Sequence, residues 1–493
     1  MSEQIYLKEY RTAVDKKYVG FTPNGDSIKA VHIADGSLRC IFGQYNTTKK
    51  IKRLALVSDT KGNIPKGNDD DSIYTLLKEE DKIEDSVEKN SVSSMRNLMQ
   101  KLLSADKGVF VLKDLGESML SYTAGSKYFL TKGAMYEDAG EFIGSVIKEY
   151  CPELTSHIKS LLEDSKDPIT LLFEPVLAND SFELTEKNVH EDIPAFKKKG
   201  RNMQWYIEGL KESSKCLAVS LRRHPNSLTQ LRIFNFFCIF QLVRYMTMLE
   251  AFYCNESIWP IFLDFSGKAP SQSSIARASE MSYTQIYKSI NRFYAWGYAQ
   301  NLKRFTKKEL LDFTTPIYEK NKALSKSSKE ELKALWDNVQ KRVRKLKKDD
   351  DIRLTLGETI YDLLALEASS YPLNFLKKLG TSAGMLYPPD RMHTKKRFAL
   401  SQDMIEMILR SCVEPKEVID SSVLRRRLWE RFGIVVGGST FEIEKIRNTS
   451  MLIQLDETAL EENFSSFEKT LEMMDFAETM ADGILQIRLG GID

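Results

Sequence analysis

The sequence predicts a mainly α-helical, multidomain chain. It has a small α/β N-terminal region, a helix-turn-helix-like unit in its middle and a winged-helix-like C-terminal region. Three stretches carry this expectation. Residues 233–243 form a dense apolar run, as a buried helix does. Residues 274–287 carry apolar and small residues at the spacing of a helix-turn-helix. Residues 372–446 run helix, helix, arginine-rich helix, hairpin, which is the order of a winged helix.

A chain of 493 residues exceeds one ordinary core. Its patterning suggests an α/β region over 1–190, a basic helical domain over 191–350 and a winged-helix-like helical domain over 351–493. Hydrophobic residues at 42% and charged residues at 28% place it among globular proteins and exclude disordered and fibrous classes. The net charge of +2 conceals an uneven distribution, because residues 191–350 hold 29 Lys/Arg against 16 Asp/Glu. A basic middle suits a polyanion partner or attraction between domains, and Lys-rich solvated helix faces produce it equally.

Six cysteines (Cys40, Cys151, Cys216, Cys238, Cys254, Cys412) form no CxxC pair, so neither a disulfide framework nor a zinc ribbon is expected. The first eight residues lack the apolar core of a signal peptide. The 233–243 run meets Arg244 after 11 residues, short of the roughly 20 that a membrane span needs. The expectation is a cytoplasmic protein with no membrane partner.

Taken in order, Ala30–Ile33 and Leu38–Phe42 suit short strands, punctuated by Pro23-Asn24-Gly25 and Asp35-Gly36. Residues 61–93 are polar and acidic, as in an exposed loop or linker followed by a solvated helix. Met95, Leu98, Met99, Leu102 and Leu103 recur at helical spacing, as do Phe142, Ile143, Val146 and Ile147, with Gly108–Leu112 as a possible strand between them. From about 195 the chain turns basic and helical, and the 341–348 Lys/Arg run ends at a boundary marked by Asp349-Asp350-Asp351. Ser401 is a plausible N-cap for a helix bearing Ile405, Ile408 and Leu409. Ser421 or Ser422 caps the next helix, with Leu424, Leu428 and Phe432 on one face and arginines on the others. Gly433 closes it, and residues 434–446 suit a β-hairpin.

In the helix-turn-helix candidate, Ile275, Ala276, Met281 and Ile286 fit the pattern, whereas Glu280 stands where the turn glycine belongs. A docked second helix would turn Ser282, Tyr283, Thr284, Gln285 and Lys288 toward bases or phosphates, with Arg277 and Arg292 on the backbone. An ordinary helical hairpin in a core satisfies the same spacing. In the winged-helix candidate, Arg425, Arg426 and Arg431 would pair with phosphates, helped by Lys395, Lys396 and Arg397, since the guanidinium fork matches phosphate oxygens. Winged helices also dock proteins, and the acidic 456–480 stretch could shield this surface.

Signatures of catalysis are absent: no P-loop, no HExxH and no Rossmann fingerprint occurs. Gly380–Gly384 matches GxSxG as a string but follows a helical pattern rather than the strand a nucleophile elbow needs. Asp71 with Glu80-Asp81-Lys82 could mimic a nuclease's carboxylates and lysine, although it lies in a polar, helix-leaning stretch. The five histidines are dispersed without metal-ligand spacing. Neither a catalytic residue, a metal nor a cofactor is expected.

Residues 397–401 (Arg-Phe-Ala-Leu-Ser) and 428–438 (Leu-Trp-Glu-Arg-Phe-Gly-Ile-Val-Val-Gly-Gly) resemble the tails of accessory proteins from bacterial anti-phage operons, of the methylation-associated defence and phosphorothioation-dependent restriction types. The likeness covers about the last hundred residues. It implies a subunit that works beside a separate ATPase, methyltransferase or nuclease. The expected function is thus a non-enzymatic, double-stranded-DNA-interacting subunit of such a complex. A protein-interaction scaffold is the alternative, followed by a divergent nuclease.

Overall fold

The computed structural model describes residues 7–25, 28–47, 51, 54, 67–106, 125–132, 138–164, 168–177, 182–185, 189–254, 258–311, 326–367, 372–390, 395–437, 442, 444, 457–481 and 483–489. It is mainly helical, as expected. The helices before the central segment are α1 (Leu7–Val14), α2 (Ala30–Phe42), α3 (Asp70–Glu79), α4 (Lys89–Asp106), α5 (Asp138–Tyr150), α6 (Pro152–Glu163), α7 (Pro168–Leu177) and α8 (Pro194–Lys198). Then come α9 (Arg201–Arg222), α10 (Ser227–Thr247), α11 (Leu249–Cys254), α12 (Ser274–Asn301), α13 (Lys307–Leu311), α14 (Lys326–Val343), α15 (Asp349–Glu367), α16 (Leu373–Ser382), α17 (Gln402–Arg410), α18 (Ser421–Phe432) and α19 (Glu457–Met473).

Helix α10 is the dense apolar run. The Asn226 side chain accepts from Thr229 N–H and starts it. Every residue from Ile233 to Thr247 is then buried, so the helix is enclosed all round. One continuous core surrounds it, reaching from Tyr10 to Leu489 and so crossing the boundaries expected near 190 and 350. A smaller cluster, including Ile73, Leu77, Phe129 and Phe173, forms under α3, α4 and α7.

The strand expectations at the N-terminus are corrected. Ala30–Ile33 and Leu38–Phe42 both lie in the single helix α2, nearly all of it buried. Gly36 is a packing site rather than a turn: a side chain on Gly140 of α5 would come within 3.0 Å of the Gly36 Cα, so the two helices cross backbone to backbone. Burial on all sides removes the one-sided periodicity by which such a helix would be recognised. The possible strand at Gly108–Leu112 lies outside the described residues.

Strands are short. β1 (Gln44–Tyr45) pairs antiparallel with β2 (Glu183–Leu184). β3 (Ile261–Phe262) pairs parallel with β7 (Ile434–Val435), and β4 (Leu386–Tyr387) antiparallel with β5 (Arg397–Phe398). β6 (Val418–Asp420), β8 (Ala477–Thr479) and β9 (Leu485–Arg488) form a three-stranded antiparallel sheet in the order β6-β9-β8. The hairpin expected at 434–446 is therefore corrected. Its first strand, Ile434–Val435, is drawn into the core by Ile261–Phe262, and most of 438–446 lies outside the described residues.

Candidate nucleic-acid interface

The expected helix-turn-helix is one uninterrupted helix. Ser273 caps α12 by accepting from the Ala276 N–H at 3.2 Å, and the helix continues to Asn301. Glu280, Met281 and Ser282 give the chain no reason to turn, because none needs a left-handed backbone and Glu and Met are good helix formers. The nominated residues consequently divide by face. Ser282 is buried: its hydroxyl donates to the Pro260 carbonyl at 2.7 Å and accepts from the Phe262 N–H at 3.2 Å. Tyr283 is buried against Phe398. Neither can read a base, which corrects their assignment. Gln285 is half-buried, whereas Arg277, Thr284 and Lys288 are exposed. Arg292 lies on the same stripe, its guanidinium paired with both oxygens of Glu250.

The Lys395–Arg397 segment lies beside this helix. The Ser279 hydroxyl accepts from the Phe398 N–H at 2.8 Å and anchors β5 to α12. Lys395 projects into solvent, its Nζ 3.9 Å from Glu280. Lys396 and Arg397 are buried, which corrects their assignment as exposed phosphate contacts. The Lys396 ammonium donates to the carbonyls of Pro388 and Asp390, and burial, aided by Lys377 and opposed by Asp390, pushes its pKa below the ordinary lysine range. Arg397 pairs with the buried Asp264 at 2.7 Å and lies 4.8 Å from the Tyr387 ring centroid. A cleft of about 550 Å³ opens here, lined by Lys268, Glu280, Tyr387 and Lys395–Arg397 among others. A second cavity of about 200 Å³ shares Lys268 and extends to Ser273 and Ser274 at the start of α12.

The arginines of α18 have structural employment. Arg427 takes both oxygens of Glu417, at 2.6 and 2.8 Å, and donates to the Cys412 carbonyl at 2.7 Å. Arg431 donates to the Ser411 carbonyl at 2.7 Å. The two thus satisfy carbonyls left over at the C-terminal end of α17, where cations are favoured. Arg425 stacks 4.2 Å from the Phe464 ring centroid and pairs with the buried Glu442 at 3.5 Å. The assignment of Arg425 and Arg431 to phosphate is corrected accordingly. Arg426 is exposed. The Arg427 hydrogen bonds hold the Glu417 carboxyl below its usual range.

Other candidates fall to their surroundings. Ser382 of the GxSxG string ends helix α16, as expected. Lys82 pairs with Glu80, and Asp71 with Lys89, so these groups do not converge. One arrangement was not foreseen: His190 lies 2.9 Å from the Ser145 hydroxyl through Nδ1 and 2.7 Å from Glu149 through Nε2. Ser145 is fully buried and donates to the Phe142 carbonyl at 2.8 Å, so the constellation offers a substrate no approach. Burial lowers the His190 pKa despite the hydrogen bond that its ring makes to the Glu149 carboxylate. Among the described residues no group of three or more His, Cys, Asp or Glu could hold a metal. No described helix is long and apolar enough to cross a membrane. All six cysteines are free thiols.

Lys268 and Tyr387 escaped the sequence reading. Lys268 sits in the polar, small-residue stretch 266–271, where only the break itself was legible. No family model, curated protein or solved structure matches the chain.

Proposed function

We propose that the chain is a non-enzymatic, DNA-interacting subunit of a multi-gene bacterial anti-phage defence complex, working beside an ATPase, methyltransferase or nuclease. The observation that supports DNA contact is the exposed row on α12. Arg277, Thr284 and Lys288, with Arg292, recur at steps of seven, four and four residues along one helix face, and Lys268 and Lys395 adjoin it. Such a row tracks phosphates rather than base edges, so binding is expected to be strongly salt-dependent and weakly sequence-selective. The operon setting rests on the resemblance of the C-terminal third.

The segment from Gln402 to Arg488 supports a winged-helix-like reading in a different register from the expected one. Its order is α17, β6, α18, β7, α19, β8, β9, with β7 paired outside the segment to β3, and the β8–β9 hairpin takes the place of the wing. The helix before that hairpin, in the position of a reader, is α19, with Glu461, Glu462 and Glu472 exposed. Carboxylates there repel phosphate. This favours the second reading for this unit, a docking module for another protein, with DNA contact assigned to α12.

Duplex DNA of unrelated sequence, titrated across a salt series, tests the proposal. Log affinity should fall linearly with log salt, and Arg277→Glu with Lys288→Glu should flatten the slope by about two. Absence of binding at low salt removes the DNA reading and leaves the scaffold.

A further inference from the structure

The cleft between α12, the Gly267–Pro270 loop and the β4–β5 pair has a volume of about 550 Å³, within the roughly 300–1,000 Å³ typical of small-molecule sites. Its charge is lopsided. Lys268, Lys395, Lys396 and Arg397 line it, with Lys377 near Lys396, and the opposing carboxylates are Glu280 in the lining, Asp264 paired to Arg397 and Asp390 near Lys396. Five cations thus face three anions, a surplus of two. Lys396 sharpens the imbalance, because its buried ammonium has only neutral carbonyls as hydrogen-bond acceptors and keeps a third N–H. Tyr387, 47% exposed, presents an aromatic ring in the same lining.

The geometry points to a binding site for a phosphate monoester carried on a nucleoside, with the exposed Lys268 and Lys395 attracting the phosphate and Tyr387 stacking on the base. A terminal phosphate carries about −1.5 to −2 at neutral pH, which matches the surplus of two, whereas an internal phosphodiester carries a single charge. Base–aromatic stacking tolerates any base. Two sources supply this chemistry: a free mononucleotide, or the phosphorylated end of a DNA strand. The second source rests on the DNA reading above.

The full-length protein would be titrated calorimetrically with AMP, adenosine and inorganic phosphate, and with one DNA hairpin bearing either a 5′-phosphate or a 5′-hydroxyl. AMP should bind about tenfold tighter than inorganic phosphate, and adenosine should not bind. Lys268→Glu with Lys395→Glu, both exposed, should abolish AMP binding at unchanged melting temperature. Tyr387→Ala should reduce AMP to the level of inorganic phosphate. Preference for the 5′-phosphate hairpin, lost in the double lysine variant, identifies the strand end as the source. AMP binding with equal hairpin affinities identifies the free nucleotide. AMP binding with no hairpin binding upholds the site and removes the DNA reading. Failure of AMP to bind, together with equal affinity for the two hairpins, overturns the proposal.

Discussion

Arg397 and Asp264 lie 2.7 Å apart as a buried ion pair that fastens β5 to the segment following β3. Asp264 also accepts from the Ser266 N–H and hydroxyl through its other oxygen, so one carboxylate organises the loop leading to Lys268. Removing either partner leaves a buried charge. Asp264→Ala should destabilise the fold by about 3–5 kcal/mol, and Asp264→Leu with Arg397→Met should restore most of it. Chemical denaturation measures both, and a cost below about 1 kcal/mol for Asp264→Ala would remove the pair from the fold's supports.

The two groups of basic residues should separate in experiment. Arg431→Ala strips a buried helix-end carbonyl of its donor and should cost about 1–3 kcal/mol without changing the salt dependence of DNA binding. Arg277→Glu with Lys288→Glu should do the reverse, since both side chains are exposed. If the melting temperature and the salt slope shift together in both variants, the division between structural arginines and surface contacts is wrong.

Gly357 of α15 packs against α12 so closely that a Cβ there would meet the Ala295 carbonyl oxygen at 2.3 Å. In an open helix Gly→Ala adds roughly 0.5–1 kcal/mol of stability. Here the sign should invert, with Gly357→Ala costing about 1–3 kcal/mol because neither backbone can yield alone. A stabilised Gly357→Ala protein, read by thermal melting, would place α15 farther from α12.

His32, buried in α2, has its pKa pushed down to about 4, by burial first and then by Lys29 and Lys378. The unfolded chain takes up this proton near pH 6.5, whereas the folded chain refuses it until about pH 4. The associated stability is therefore complete above pH 6.5 and is lost as pH falls from 6.5 toward 4, by up to about 3 kcal/mol. The melting temperature of the wild type should therefore fall relative to that of His32→Gln as pH drops across that window. Parallel curves would acquit His32.

The Ser145–His190–Glu149 constellation should be chemically silent. A fluorophosphonate probe should leave Ser145 unlabelled in the native protein, because the hydroxyl is buried and hydrogen-bonded to the Phe142 carbonyl. Stoichiometric labelling lost in Ser145→Ala would instead establish a nucleophile.

Local chemistry made much of this chain legible. The buried α10 was evident from its dense apolar run, and the Ser401 cap is observed, its hydroxyl accepting from the Met404 N–H. The α18 register, with Leu424, Leu428 and Phe432 inward and Gly433 as a left-handed stop, was equally plain. These features depend on residues within a turn or two of one another. The helix α2 was not legible, because a helix buried all round loses its amphipathic signal and Gly36 imitates a turn.

The sequence by itself determined the helical class, the Ser401 cap and several apolar faces, since backbone preference and periodicity are short-range. The cap of α18, expected at Ser421 or Ser422, is instead Asp420, which accepts from the Ser422 and Val423 N–H. Only the tertiary structure decided the fate of each charge. Arg397 meets Asp264, Arg292 meets Glu250, Arg425 meets Glu442, and the carbonyls after α17 take Arg427 and Arg431. The basic surplus of the middle was visible as a number, but which of its side chains are buried, as Arg244 is, and which form an exposed row was not. A charge is buried or exposed according to partners that folding brings from elsewhere in the chain, and the long, flexible arms of Arg and Lys reach whichever partner arrives.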